Sequence, residues 1–340
     1  MYTTVNRGKR AITLDLNNEK GLNIFKKLCV NSDVVVQNYR PGVAKRLGIH
    51  YNDLIQINPK IIVLSISGFG QDGPYSKRGG YDYLVQAMGG IMSITGEEKG
   101  KPTKIGVGVS DIITGLYSSI AILSALRFKE VTGKGQHIDI SLMDSQVSWL
   151  SYVAQSYLIS GKIPDRIGND HPSIVPYQTV KAKDGLMVLA IANDRQFKNF
   201  CEFADLSNLC KNSKFKNNSS RVKNRKELNK IIGKTILKKT ITEWVQGLTK
   251  INVPCGPINN IEQVFNDPQV KSRKMKINMK HKKSKTGKIN IIGSPMNFSV
   301  SKIKYKKTPP TLGEDTASFL KKFLKISVQE IKKLKDKGII

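Results

Sequence analysis

Apolar positions along the first half of the chain fall into two alternating spacings. Residues 11–16, 33–37 and 61–66 are short runs rich in Val, Ile and Leu, the composition of buried strands. Residues 19–30 (EKGLNIFKKLCV) instead repeat their apolar side chains at the 3.6-residue spacing of an amphipathic helix. Strand, helix and strand in this order predict an α/β domain built on an open, mostly parallel, Rossmann-like sheet. Two loops follow predicted strand ends. Asn38-Tyr39-Arg40-Pro41-Gly42 comes after the second run, and Gly68-Phe69-Gly70-Gln71-Asp72-Gly73-Pro74 after the third, leading through Arg78-Gly79-Gly80 into a helix over 81–88. Ligands of such sheets sit beyond the carboxyl ends of the strands. A longer apolar helix is predicted over 112–128, with Asp111 as its N-cap or in its first turn.

From about Arg166 the texture changes. Pro172 and Pro176 interrupt it, a strand is predicted over 186–192, scattered helices follow, and another apolar run covers 289–292. This divides the chain into a large domain over 1–165, a smaller α+β domain over 166–290, and a C-terminal segment over 291–340. That segment returns to the large domain and has an amphipathic helix over 328–337. No internal repeat is present.

Composition changes this picture little: hydrophobic content of 39% and charged content of 24% are ordinary for a globular chain. Apolar stretches such as 116–126 are broken by polar residues too early to span a bilayer, so no membrane partner is expected. No secretory signal pattern opens the chain. The net charge of +30 points at first to a polyanion. Lysine outnumbers arginine about fourfold, however, and is spread along the whole chain, with one dense run over 271–288 that reads as a solvated face and loop. Nucleic-acid readout favours arginine forks, so no nucleic-acid partner is expected, and the basic surface suits a small anionic ligand better. Cys29, Cys201, Cys210 and Cys255 are far apart and complete no zinc site with the histidines, as expected of thiols in a reducing cytoplasm. No metal is expected.

Several stretches, in order, resemble one family. They are Asn6-Arg7-Gly8-Lys9-Arg10, the Asn38–Gly42 loop with Arg46-Leu47-Gly48, Gly80-Tyr81-Asp82, Gln86-Ala87-Met88-Gly89-Gly90, Val109-Ser110-Asp111 with Gly115, and Thr132-Gly133-Lys134-Gly135-Gln136. In the second half Val253-Pro254-Cys255-Gly256-Pro257 and Asp267-Pro268-Gln269-Val270 continue the match. The chain resembles the family III, CaiB/BaiF-type CoA-transferases, and within them the succinyl-CoA:glutarate and related dicarboxylate branch.

The resemblance implies an enzyme that moves CoA from an acyl-CoA such as succinyl-CoA to a carboxylic acid. Asp111 would be the nucleophile, passing through an aspartyl anhydride and an aspartyl-CoA thioester, with CoA as substrate and no permanently bound cofactor. The dipole of the following helix is expected to favour the Asp111 anion. The resemblance places Asn38, Tyr39, Val43, Arg46 and Leu47 along the CoA, and Tyr81 and Asp82 near the thioester. Asn193, Arg195 and Gln196 are candidates for a substrate carboxylate, Arg195 being the best electrostatic choice. Asp139 and Asp144 read as strand-end and capping residues. An interlocked homodimer is implied.

Family members begin with a further strand and helix that supply a glutamine beside the thioester, and the match here starts after that unit. The expectation is a truncated product or misplaced start, with an inactive CoA-binding homologue as one alternative. An α-methylacyl-CoA racemase is the other. It needs a histidine where Tyr81 stands, and His50, His137, His171 and His281 match no such position.

Overall fold

The computed structural model describes residues 2–281 and 284–340. The chain divides into two compact units. The first comprises Met1–Ile91, Lys104–Lys162 and Phe265–Ile340, and the second Met92–Thr103 and Ile163–Val264.

The first unit is built on a parallel sheet of β1 (Val34–Gln37), β2 (Ile62–Ser67) and β3 (Gln136–Ser141), in the order β1-β2-β3. In the central strand Ile62, Val63 and Leu64 are buried on both faces, which explains the unbroken apolar run. The Glu19–Val30 helix begins where predicted, with the Asn18 side chain accepting from the Lys20 amide. Residues 11–16 form no strand, contrary to their pattern. Their amides are taken instead by the C-terminal region: Ala11 N donates to Asp315 Oδ2 and Thr13 N to Thr316 Oγ1, each at 3.0 Å, and Asp15 N to Ile339 O at 2.9 Å. Leu14 joins Ile24, Leu320, Leu334 and Ile339 in a small core there, so the run is apolar for packing rather than for a ladder.

The long helix spans Val109–Thr132, beginning and ending beyond the predicted 112–128. It is the one helix among the described residues long and apolar enough to cross a membrane by length and composition, so the polar residues within it do not shorten it as expected. Ile113, Thr114, Ser118 and Ala125 form its buried stripe. That stripe packs on β2, β3 and the helices Asp82–Met88 and Leu142–Trp149, the role of a sheet-covering helix. Ile112, Leu116, Ile120 and Leu123 on the other side are exposed.

The second unit is α+β: β4 (Tyr177–Ala182), β5 (Gly185–Ala190) and β6 (Cys255–Pro257) form an antiparallel sheet. Helices Asp194–Phe203, Arg225–Ile236 and Ile241–Lys250 accompany it, around Phe197, Phe200, Phe215 and Trp244. Arg221 is wholly buried, donating to Val175 O, Phe215 O and Asp194 Oδ1. This unit ends at Val264, short of the predicted 290, and it also takes residues 92–103. Part of the lysine-rich run is strand rather than loop: β7 (Lys276–Lys280) in the first unit pairs antiparallel with β8 (Lys288–Ile292). Lys276, Lys280 and Lys288 are exposed, which lets a strand carry so many like charges. Lys282 and Lys283 of that run lie outside the described residues.

Candidate active site

Parallel pairing sends β1 and β2 out of the sheet at the same edge, and the loops that follow them meet there. A cavity of about 180 Å³ is lined by Asn38, Tyr39, Arg40 and Pro41 from the first loop and by Ser67, Gly68, Arg78, Gly79, Gly80 and Tyr81 from the second. Asn38 Nδ2 donates to Ile66 O at 2.8 Å and ties the two strand ends together. A Cβ on Gly68 would lie 2.6 Å from Gly80 Cα, so only two glycines allow these backbones to approach. The Arg78 guanidinium lies over the Tyr75 ring at 4.6 Å and the Phe69 ring at 5.5 Å, an arrangement that fixes a cation at the cavity wall. Neither Arg40 nor Arg78 has a carboxylate partner among the described residues. Two uncompensated guanidiniums in one small cavity fit a phosphate-bearing ligand.

The helix between β2 and β3 runs back across the sheet, which brings its first turn, and Asp111, to the carboxyl edge. Asp111 is the third residue of Val109–Thr132, and the helix has no side-chain cap at Gly108. The capping function belongs to Asp82, whose Oδ1 accepts from Ser110 N at 2.8 Å while its Oδ2 accepts from Gln86 Nε2 at 2.7 Å. Ser110 Oγ donates to Gln146 Oε1 at 2.7 Å, in a buried contact. The Asp111 carboxylate accepts no hydrogen bond among the described residues. A methyl on Gly108 would stand 3.4 Å from Asp111 Oδ2 and 3.6 Å from Asp82 Cγ, so glycine keeps the space between the two carboxylates open. Partial burial, and after it the negative charge of Asp82, raise the Asp111 pKa above the usual carboxylate value. Both act in the opposite direction to the helix dipole, which favours the anion.

With this geometry in place, the chain can be set beside known proteins. Residues 1–316 match the family model described as CoA-transferase family III. The chain belongs to CoA-transferase family III. It is 42% identical to a human protein named succinyl-CoA:glutarate CoA-transferase, over all of this chain and 77% of that one. It is 41% identical to the succinate–glutarate CoA-transferase of Agrobacterium fabrum, over 94% of this chain and 79% of that one. A crystal structure of a CaiB/BaiF family protein from Brucella suis superposes with a TM-score of 0.84 at 42% identity, over 95% of this chain and 83% of that one.

In this CoA-transferase the predicted CoA residues fall into three groups. Asn38, Tyr39 and Tyr81 line the cavity. Val43, Arg46 and Leu47 belong to the short Val43–Arg46 helix and its end and do not line it; Arg46 is exposed. Asp82 is turned inward onto Ser110 and Gln86. Arg40, Arg78 and Gln86 lay inside the quoted motifs or beside them and were assigned no role, although arginines flanking glycine-rich loops at strand ends were a signal for the first two. Asn193 and Gln196 are occupied in the second unit: Asn193 caps the Asp194–Phe203 helix, and Gln196 Oε1 accepts from Ala192 N at 2.8 Å. Arg195 is exposed, with no partner among the described residues.

Asp139 Oδ2 accepts from Gln71 N at 2.9 Å and anchors the glycine-rich loop, and Asp144 follows Ser141, which is the true N-cap of its helix. His137, on β3, contacts Ser65 Oγ at 2.8 Å, and its ring lies 5.5 Å from that of His50, the N-cap of the Tyr51–Leu54 helix.

Proposed function

We propose that this enzyme carries CoA from a dicarboxylyl-CoA, succinyl-CoA foremost, to a second carboxylic acid, with Asp111 as the covalent carrier. The observation that carries the reading is an aspartate at the carboxyl edge, free of hydrogen bonds and raised in basicity, in the same unit as a cavity walled by Arg40 and Arg78. Relatives named for succinyl-CoA and glutarate support the substrate class.

The chemistry follows from these groups. An Asp111 oxygen attacks the thioester carbonyl carbon, the C–S bond breaks, and CoA leaves as thiolate, giving a mixed anhydride. The thiolate then attacks the Asp111 carbonyl carbon and releases the donor acid, leaving an aspartyl-CoA thioester. The acceptor carboxylate displaces CoA from it, and the thiolate takes the acceptor acyl group from the second anhydride, restoring Asp111. Asn38, Tyr39, Tyr81, Arg40 and Arg78 hold the CoA.

The same reading makes the protein a cytoplasmic homodimer. Four free cysteines, two of them buried, suit a reducing compartment. Ile112, Leu116, Ile120 and Leu123 are 53–66% exposed along one helix face, an apolar stripe that a second copy would cover. The function is tested by incubating succinyl-CoA with glutarate, malate, mesaconate, citramalate, oxalate and carnitine in turn. Formation of a new acyl-CoA with at least one dicarboxylate is expected, and no exchange with any acid overturns the proposal.

A further inference from the structure

We propose that Asp82 and Gln86 form a positioning pair for Asp111: Gln86 fixes Asp82, and Asp82 holds the first turn of the nucleophile helix so that the Asp111 carboxylate stands free to react. The proposal rests on reading Asp111 as the acyl carrier. A nucleophile that accepts no hydrogen bond of its own must be aimed through its backbone, and here the backbone is held from two sides. Asp82 takes the Ser110 amide at 2.8 Å, and the Ser110 hydroxyl is anchored on Gln146 at 2.7 Å.

Gln86 is wholly buried, and all of its polar contacts serve the approach to that turn. Its Nε2 donates to Asp82 Oδ2 at 2.7 Å and to Val107 O at 3.3 Å, and its Oε1 accepts from Ile105 N at 2.9 Å. One amide therefore joins the Asp82–Met88 helix to the irregular segment leading to Asp111. Both carboxylate oxygens of Asp82 accept from inside the protein, which fixes its charge beside the first turn of the nucleophile helix.

That charge has a chemical consequence. Acylation neutralises Asp111, so repulsion between the two carboxylates is relieved as the anhydride forms. The other titratable groups on elements packed against the nucleophile helix are turned elsewhere. Asp139 accepts the Gln71 amide, His137 meets Ser65, and Tyr83 and Asp144 are exposed.

Two readouts test the pair, and one does not depend on turnover. Carbon-13 carboxyl NMR of the apo protein, with the Asp111 signal assigned by its loss in Asp111→Asn, follows ionisation directly. Asp82→Asn should move the Asp111 midpoint to lower pH, and an unmoved midpoint overturns the proposal whether or not the protein transfers CoA. The second readout is single-turnover acylation by succinyl-CoA across pH. Gln86→Met should slow it by about a hundredfold, the cost of misaiming a reacting group by an ångström. Gln86→Glu must share a proton with Asp82, so it should acylate near the wild-type rate at low pH and lose activity as pH rises. A loss of equal size at every pH would mark Gln86 as merely structural and overturn the proposal. So would a loss confined to CoA affinity, measured by calorimetry. If wild type is not acylated by any acyl-CoA, the proposed function fails, while the NMR titration still decides the pair.

Discussion

Replacing Gly68 by alanine tests whether the cavity depends on the close approach of its two loops. The added Cβ would lie 2.6 Å from Gly80 Cα and 2.9 Å from Gly80 N. Carbon atoms pack at about 3.5–4.0 Å, so the two backbones must part by about 1 Å. Overpacking of this kind costs about 1–3 kcal/mol. Gly80 leads directly into Tyr81 and follows Arg78, so part of that cost falls on the CoA cavity. At about 1.4 kcal/mol per tenfold, CoA affinity should weaken on the order of tenfold. Titration calorimetry with CoA and a thermal melt measure the two components. Gly233→Ala is the control: nothing lies within 4 Å of its added Cβ inside the Arg225–Ile236 helix. It should stabilise by about 0.5–1 kcal/mol and leave CoA affinity alone. Gly68→Ala binding CoA within twofold of wild type, with an unchanged melt, would refute the packing argument.

Three further outcomes follow from other parts of the molecule. Because burial and Asp82 raise the Asp111 pKa, ionising Asp111 costs folding stability, a deficit that grows as pH rises from the ordinary aspartate value to the raised one and is constant above it. Thermal melts of Asp111→Asn should therefore exceed wild type at neutral pH and converge with it in acid, while transfer activity disappears; a variant less stable at neutral pH contradicts this. The double variant Leu116→Glu, Ile120→Lys puts charges on the exposed apolar stripe, and light scattering should show a dimer converting to monomer, whereas an unaltered mass would place the partner elsewhere. Arg221→Leu leaves the buried carbonyls of Val175 and Phe215 without their donor while Asp194 is exposed enough to be hydrated, and denaturant unfolding should show a loss of about 1–3 kcal/mol for each carbonyl.

The sequence was most legible where local pattern and tertiary use coincide. The Glu19–Val30 helix, β1 and β2 were readable because burial on one face or both leaves a periodicity. Residues 11–16 were misread because an apolar run paired with Asp315, Thr316 and Ile339 looks the same as one in a ladder, and partners some 300 residues away leave no local trace. Asp111 was visible as a helix-start aspartate inside a family motif. The inward turn of Asp82 and the burial of Gln86 were not, since one helical turn separates them and only the fold shows which way their side chains point. The helix dipole was legible from position alone, whereas the opposing desolvation and the Asp82 charge needed three-dimensional neighbours.

Covalent acylation of Asp111 can be seen by trapping the intermediate. Wild-type protein is incubated with succinyl-CoA, quenched with hydroxylamine, digested, and its peptides are sequenced by mass spectrometry, with Asp111→Asn treated in parallel. A hydroxamate should form on Asp111 in the wild type and none in the variant. A wild-type protein that exchanges CoA while the Asp111 peptide stays unmodified, or one modified at a different carboxylate, would contradict it.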